Sequence, residues 1–222
     1  MASGGRRPLW GCRQQEESWY YYLTEITLRR IANGVLNALY QEKEYAWTDS
    51  SIPTMVKTAN QVEQQLSEWY RGLPVPIQFD EHEPPTGELP FMIRARVLEI
   101  RLWVYRPFLY YAIHNPPDGP FQSLLRPFVE KALMYTFRIL NDCPTRHRHH
   151  GVWFSIRTGI SAALSILAAG RCGNLPLPVG WTGIVRATIT KLEYWEAEAP
   201  GLSQALEVLN AYLLVSTGSP SV

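Results

Sequence analysis

Apolar side chains recur every three or four residues along most of the chain. No stretch alternates apolar and polar positions in the period of two that marks a strand. The cleanest run is Ile52, Val56, Ala59, Val62, Leu66, Trp69 and Leu73. It predicts a helix from Ser51, read as its N-cap, through Pro53 in the first turn to a stop at Gly72 and Pro74. Before it, a helix over about 17–44 would place Trp19, Leu23, Ile26, Arg30, Asn33, Asn37 and Tyr40 on one face. Tyr22, Leu28, Ile31, Val35 and Leu39 widen its apolar surface, and its start is expected to be mostly buried.

A third helix is predicted over about 90–115. Ile93, Val97, Ile100, Val104 and Phe108 form one stripe, and Leu98, Leu102, Tyr105 and Leu109 fill another side. A helix apolar nearly all round belongs at the centre of a bundle. Pro107 removes a backbone donor and opposes the carbonyl of Trp103, so a kink is expected there.

The fourth helix carries Leu125, Phe128, Ala132, Tyr135 and Ile139, with its start left open over 120–126. The fifth carries Trp153, Ile156, Ile160, Ala163 and Leu167, with Ala162, Ala168 and Ala169 allowing close packing. Gly170, Gly173 and the segment LPLPVG divide it from a sixth, on which Trp181, Val185, Thr188, Leu192 and Trp195 align. Pro200-Gly201 precedes a last helix with Leu202, Leu206, Leu209 and Leu213. The Pro-rich segment 73–90 and the breaker at 115–120 link the earlier helices. The expected fold is all-α, an irregular bundle of about seven helices without internal repeats. It comprises a disordered arm over 1–15, a helical domain over 16–215 and a flexible tail over 216–222.

Composition narrows the function classes. A chain of 222 residues with 46% apolar and 18% charged side chains buries one sizeable core and is not wholly disordered. A net charge of +1 supplies no general attraction for nucleic acid. Cys12, Cys143 and Cys172 are scattered, which fits neither a disulfide framework nor a zinc site and suits a reducing, intracellular compartment. Arg6-Arg7 is followed by no apolar run, so no secretory or twin-arginine signal is read there. The weakly polar stretch Gly159 to Gly170 is short for a bilayer span, and a soluble protein is expected.

Candidate chemistry is sparse. Phe79-Asp80-Glu81-His82-Glu83 mixes carboxylates and imidazole but matches no ligand spacing, and reads as a solvated loop. The basic run at 146–150 reads as a helix-ending loop. Arg94, Arg96, Arg101 and Arg106 offer either phosphate contacts or ion pairs inside the bundle, with Glu88, Glu99 or carboxylates of neighbouring helices. The second reading is favoured, and their stems suit packing on aromatic rings. Ser155, Ser161 and Ser165 have no histidine and carboxylate nearby in sequence. Phosphate-binding, dinucleotide-binding, zinc-protease and nucleophile-elbow signatures are absent. No catalytic or metal-ligating residue is assigned, no cofactor is expected, and no residue is identified for cofactor binding. The aromatic helical stripes read as core rather than as pocket.

Several segments in order carry a resemblance. EESWYYYLTEITLRRIANGVLNALY, VEQQLSEWYRGLPVPIQFD and RARVLEIRLWVYRPFLYYAIH are followed by VWFSIRTGISAALSILAAG and WTGIVRATITKLEYWEAEAPGLSQALEVL. Over about 16–214 this succession resembles the C-terminal part of the helical regulatory region of fungal binuclear zinc-cluster transcription factors.

The resemblance implies an all-α regulatory domain of a nuclear protein, modulating transcription through a small-molecule effector or protein partners of the transcription machinery. Three cysteines cannot build the family's six-cysteine cluster. No Cys-x-x-Cys occurs, and no basic linker with a dimerising coiled coil precedes Glu16. The chain is therefore expected to be a fragment, a truncated product or a relative that lost its DNA reader. It should bind neither structural zinc nor a specific DNA sequence, and should need no membrane. Homodimer formation is left open. The alternatives are a helical enzyme, marked by ionisable groups converging in a pocket, and a non-functional remnant acting as a scaffold.

Overall fold

The computed structural model describes residues 9–41, 47–142, 151–199 and 201–218. Seven α-helices occupy the described residues: α1 (Leu9–Leu39), α2 (Ile52–Arg71), α3 (Glu88–His114), α4 (Gln122–Asp142), α5 (Val152–Cys172), α6 (Trp181–Glu193) and α7 (Leu202–Gly218). Three short 3-10 turns sit among them, and no strand is found among the described residues. The all-α bundle of about seven helices is the observed architecture. The basic run at 146–150 lies outside the described residues.

The central helix is α3. It packs against α1, α2, α4 and α5, most extensively against α4. Ile93, Ile100, Val104 and Phe108 are completely buried, and Leu98, Leu102, Tyr105 and Leu109 nearly so. This is the all-round burial that its sequence demanded. A second group forms where α5 packs against α6 and α7 as well as against α3 and α4. On α7 the buried residues include Leu202, Leu206, Leu209 and Leu213, and on α6 Val185, Thr188 and Leu192.

Several local expectations change. Helix α1 starts at Leu9, within the segment expected to be an arm, and α7 runs on to Gly218. The buried face of α1 is Thr24, Leu28, Ala32, Val35 and Leu39; Leu28, Val35 and Leu39 come from the expected widening of the apolar surface, and the face lies opposite the expected row of Trp19, Leu23 and Ile26. Its start is not buried: Trp19, Tyr22 and Leu23 are 59%, 57% and 45% exposed. Both faces of this helix carry large apolar residues, so periodicity alone could not choose between them.

Ser51 stands at the N-cap position of α2, as expected, but its side chain makes no capping bond. It closes a 3-10 turn, and its hydroxyl donates to the Thr48 carbonyl at 2.7 Å. Gly170 does not end α5 but lies inside it. A Cβ there would meet the Trp181 ring at 2.6 Å, so the glycine admits the ring of the next helix. The break runs from Gly173 to Gly180, within the divider the sequence marked, and both glycines have left-handed backbone, φ 72° and 81°.

The apolar run of α5 also exceeds the segment 159–170. The helix is long enough to cross a membrane, and an 18-residue stretch of it reaches a mean hydropathy of 1.5, apolar enough to do so. Core helices share that length and composition, and here α5 packs against four neighbours.

Helix α3 continues through Pro107 to His114. Proline has no N–H, so the carbonyl of Trp103 loses its helical donor. The hydroxyl of Tyr40, at the end of α1, takes that place by donating to the Trp103 carbonyl at 2.7 Å. We expect Tyr40→Phe to cost about 1–2 kcal/mol, because a half-buried carbonyl is left without a partner. In a Pro107→Ala background the restored N–H at position 107 serves the same carbonyl, and the cost of Tyr40→Phe should fall by at least half. A double-mutant cycle from denaturant titrations measures this coupling, and additive effects would refute it.

Candidate functional site

Ionisable side chains converge in two places on α3. The first is a network linking α2, the segment after it, α3 and α4. Arg101 is buried. Its Nη1 lies 3.0 Å from Glu81 Oε2, and its Nη2 donates to Glu63 Oε2 at 3.3 Å. Tyr105 donates to Glu63 Oε1 at 3.0 Å, and Lys131 donates to the Tyr105 hydroxyl at 3.3 Å. The Arg101 guanidinium also lies over the Tyr135 ring, 5.1 Å from its centroid.

Glu81 belongs to the acidic loop that the sequence left to solvent, and this is a correction. Phe79 is buried under the Tyr70 and Trp69 rings, Tyr70 donates to the Phe79 carbonyl, and Glu81 is drawn in to Arg101. Asp80 and Glu83 remain exposed, as does His82, whose Nδ1 lies 3.1 Å from Arg138.

Burial raises the pKa of Tyr105, and Glu63 beside it raises it further. Burial likewise pushes Tyr135 up to about 12. Burial works against the charge on Arg101, but Glu81 and Glu63 outweigh it and hold the guanidinium above its ordinary value. Each shift moves the group's titration further from neutral pH, away from the range that suits acid–base catalysis. The network ties three helices together, and within it the Nε of Arg101 lies 3.3 Å from Glu63 Oε1 but is buried without a hydrogen-bond partner.

The second place is a cleft of about 110 Å³ where the first half of α3 meets α1, the end of α4 and the start of α5. Phe91, Met92, Leu98, Ile139 and Phe154 give it an apolar lining. Its polar edge is a chain of contacts across three helices. Arg96 of α3 pairs with Glu99 one turn on and with Glu25 of α1 at 3.3 Å, and Thr158 of α5 donates to Glu99 Oε1 at 3.1 Å. Deeper in, Arg94 is buried and pairs with Asp142 of α4 at 2.8 Å, while its Nη2 donates to the Glu81 carbonyl at 3.2 Å. The Nε of Arg94 is buried without a hydrogen-bond partner.

Of the four arginines singled out in the sequence, Arg94, Arg96 and Arg101 make ion pairs inside the bundle, as expected. Glu99 and carboxylates of neighbouring elements are the partners. Arg106 differs, donating to Ser161 Oγ at 2.8 Å and stacking over the Tyr40 ring. Ser161 is thereby engaged, and Ser155 and Ser165 bond to backbone carbonyls one turn back. Among the described residues no group of three or more His, Cys, Asp or Glu is placed to hold a metal ion.

Sequence reading missed the cleft. Tyr21, Glu25, Phe91 and Phe154 come from three helices, and no local spacing joins them. The available signal was a pair of arginines, 94 and 96, beside aromatic residues on a helix already too apolar to need them. Comparison of the chain with protein-family models, curated proteins and solved structures returns no match.

Proposed function

We propose that this chain is a regulatory module that modulates transcription in the nucleus by binding a small effector and through protein contacts, without reading DNA itself and without catalysing a reaction. The observation that carries the reading is the cleft beside α3. It combines an apolar lining with a charged edge, the usual character of a small-molecule site. Its edge contacts, Glu25–Arg96–Glu99–Thr158, come from α1, α3 and α5, so a molecule seated there would bias how these helices sit together. The ordered resemblance of the segments over 16–214 supplies the transcriptional context. The raised pKa values of Tyr105 and Tyr135 support the non-catalytic reading.

A thermal-shift screen of small amphipathic metabolites tests the effector. A ligand at a hundred times its Kd adds about 2.7 kcal/mol of stability and raises Tm. The variant Ala95→Trp, at a half-buried residue of the cleft lining, should abolish that shift. A shift equal in both proteins, or none with any compound, would reject the site. Fusion of the chain to an unrelated DNA-binding domain, read by a reporter gene, tests the transcriptional role. A reporter indifferent to the fused chain would reject that role.

A further inference from the structure

Helix α1 has two apolar faces, and the bundle uses one. Opposite the buried row of Thr24, Leu28, Ala32, Val35 and Leu39 runs a second row: Trp19, Tyr22, Leu23 and Ile26. Its spacing of i, i+3, i+4 and i+7 is that of a helix-packing seam. Trp19 and Tyr22 stack on each other at 5.9 Å and stand more than half exposed, whereas isolated surface apolars are usually scattered. None of residues 15–23 is buried.

The charges at the two ends of this row are opposite in sign. Glu16 stands exposed one turn before Trp19 and accepts a hydrogen bond from the hydroxyl of Tyr20. Arg30 stands exposed one turn after Ile26 and makes no ion pair among the described residues. Glu16 and Arg30 are equally far from Leu23 along the helix. A row with one sign at its start, the other at its end and apolar residues between is complementary to itself when turned round.

We infer that α1 is a homodimerisation seam, in which the Trp19–Ile26 face packs antiparallel on the same face of a second copy about a two-fold axis at Leu23. In that arrangement Leu23 meets Leu23. Trp19 comes within one residue's rise, about 1.5 Å, of the level of the second copy's Ile26. Glu16 stands beside the second copy's Arg30 at both ends, as a two-fold interface requires. A partner with an acidic or a basic surface would meet the wrong charge at one end. The seam is independent of the effector cleft, which opens on another side of α1 at Tyr21 and Glu25. Four principal side chains per copy place it at the lower end of specific interfaces, so the association is reversible and micromolar.

Sedimentation velocity over a micromolar to near-millimolar range is the test. The wild-type chain should pass from monomer to dimer. Leu23→Glu places two carboxylates at the axis and should leave only monomer. Glu16→Arg or Arg30→Glu alone turns two attractions into two repulsions and should weaken the dimer roughly tenfold. The combined reversal, Glu16→Arg with Arg30→Glu, should restore the wild-type constant. All three positions are exposed, so unchanged helical circular dichroism will certify folding. A chain that is monomeric throughout overturns the inference. So does a dimer indifferent to the charge reversals, or a monomer that instead partitions onto phosphatidylcholine vesicles.

Discussion

Val104→Asp is expected to abolish most of the stability of this domain. Val104 lies on the central helix α3 and is completely buried. A carboxylate there would be shut off from water inside the hydrophobic core. The options are an unpaired buried charge or a protonated acid with an unsatisfied hydroxyl, and either costs more than about 4 kcal/mol. A domain of ordinary stability has about 5–15 kcal/mol in total, so the variant should be largely or wholly unfolded near body temperature. Denaturant or thermal melts followed by circular dichroism measure the loss. Gln65→Lys, at an exposed position of α2, is the control and should stay within about 0.5 kcal/mol of wild type. Equal melting of the two variants would mean that α3 is not the centre of the core.

The second large effect is expected at Arg101. Its guanidinium is the only cation seen within salt-bridge distance of Glu63 and Glu81 among the described residues, and it also covers the Tyr135 ring. Arg101→Met keeps most of the side-chain volume and removes the charge, leaving two carboxylates facing each other. Loss of one member of a buried pair costs about 3–5 kcal/mol. Because Glu63 and Glu81 remain 22% and 28% exposed, and water can solvate them in part, the low end, near 3 kcal/mol, applies. Adding Glu63→Gln and Glu81→Gln to the same chain should recover most of the loss, since no orphaned charge remains. Urea titrations of the single and triple variants decide the matter. A triple variant as unstable as Arg101→Met would locate the effect in packing rather than in charge.

What the sequence by itself determined is the set of helices and the burial of those with a single apolar stripe. The row from Ile52 to Leu66 on α2, the leucines of α7 and the all-round apolar surface of α3 are local properties. A residue's neighbours at i±3 and i±4 are settled by the helix alone, and one stripe leaves one face to bury.

Where a helix offered two apolar faces, as α1 does, only the packing of α2 and α3 against it selected Leu28, Val35 and Leu39 over Trp19, Leu23 and Ile26. The polar contacts were likewise decided by tertiary structure. The Trp103 carbonyl freed by Pro107 is met by Tyr40, 63 residues earlier, and Arg101 draws its carboxylates from α2 and from a loop that looked solvated. The cleft gathers side chains from four helices. Such partners are set by how separate elements cross in space, and helical periodicity carries no information about which face of which distant helix will lie opposite.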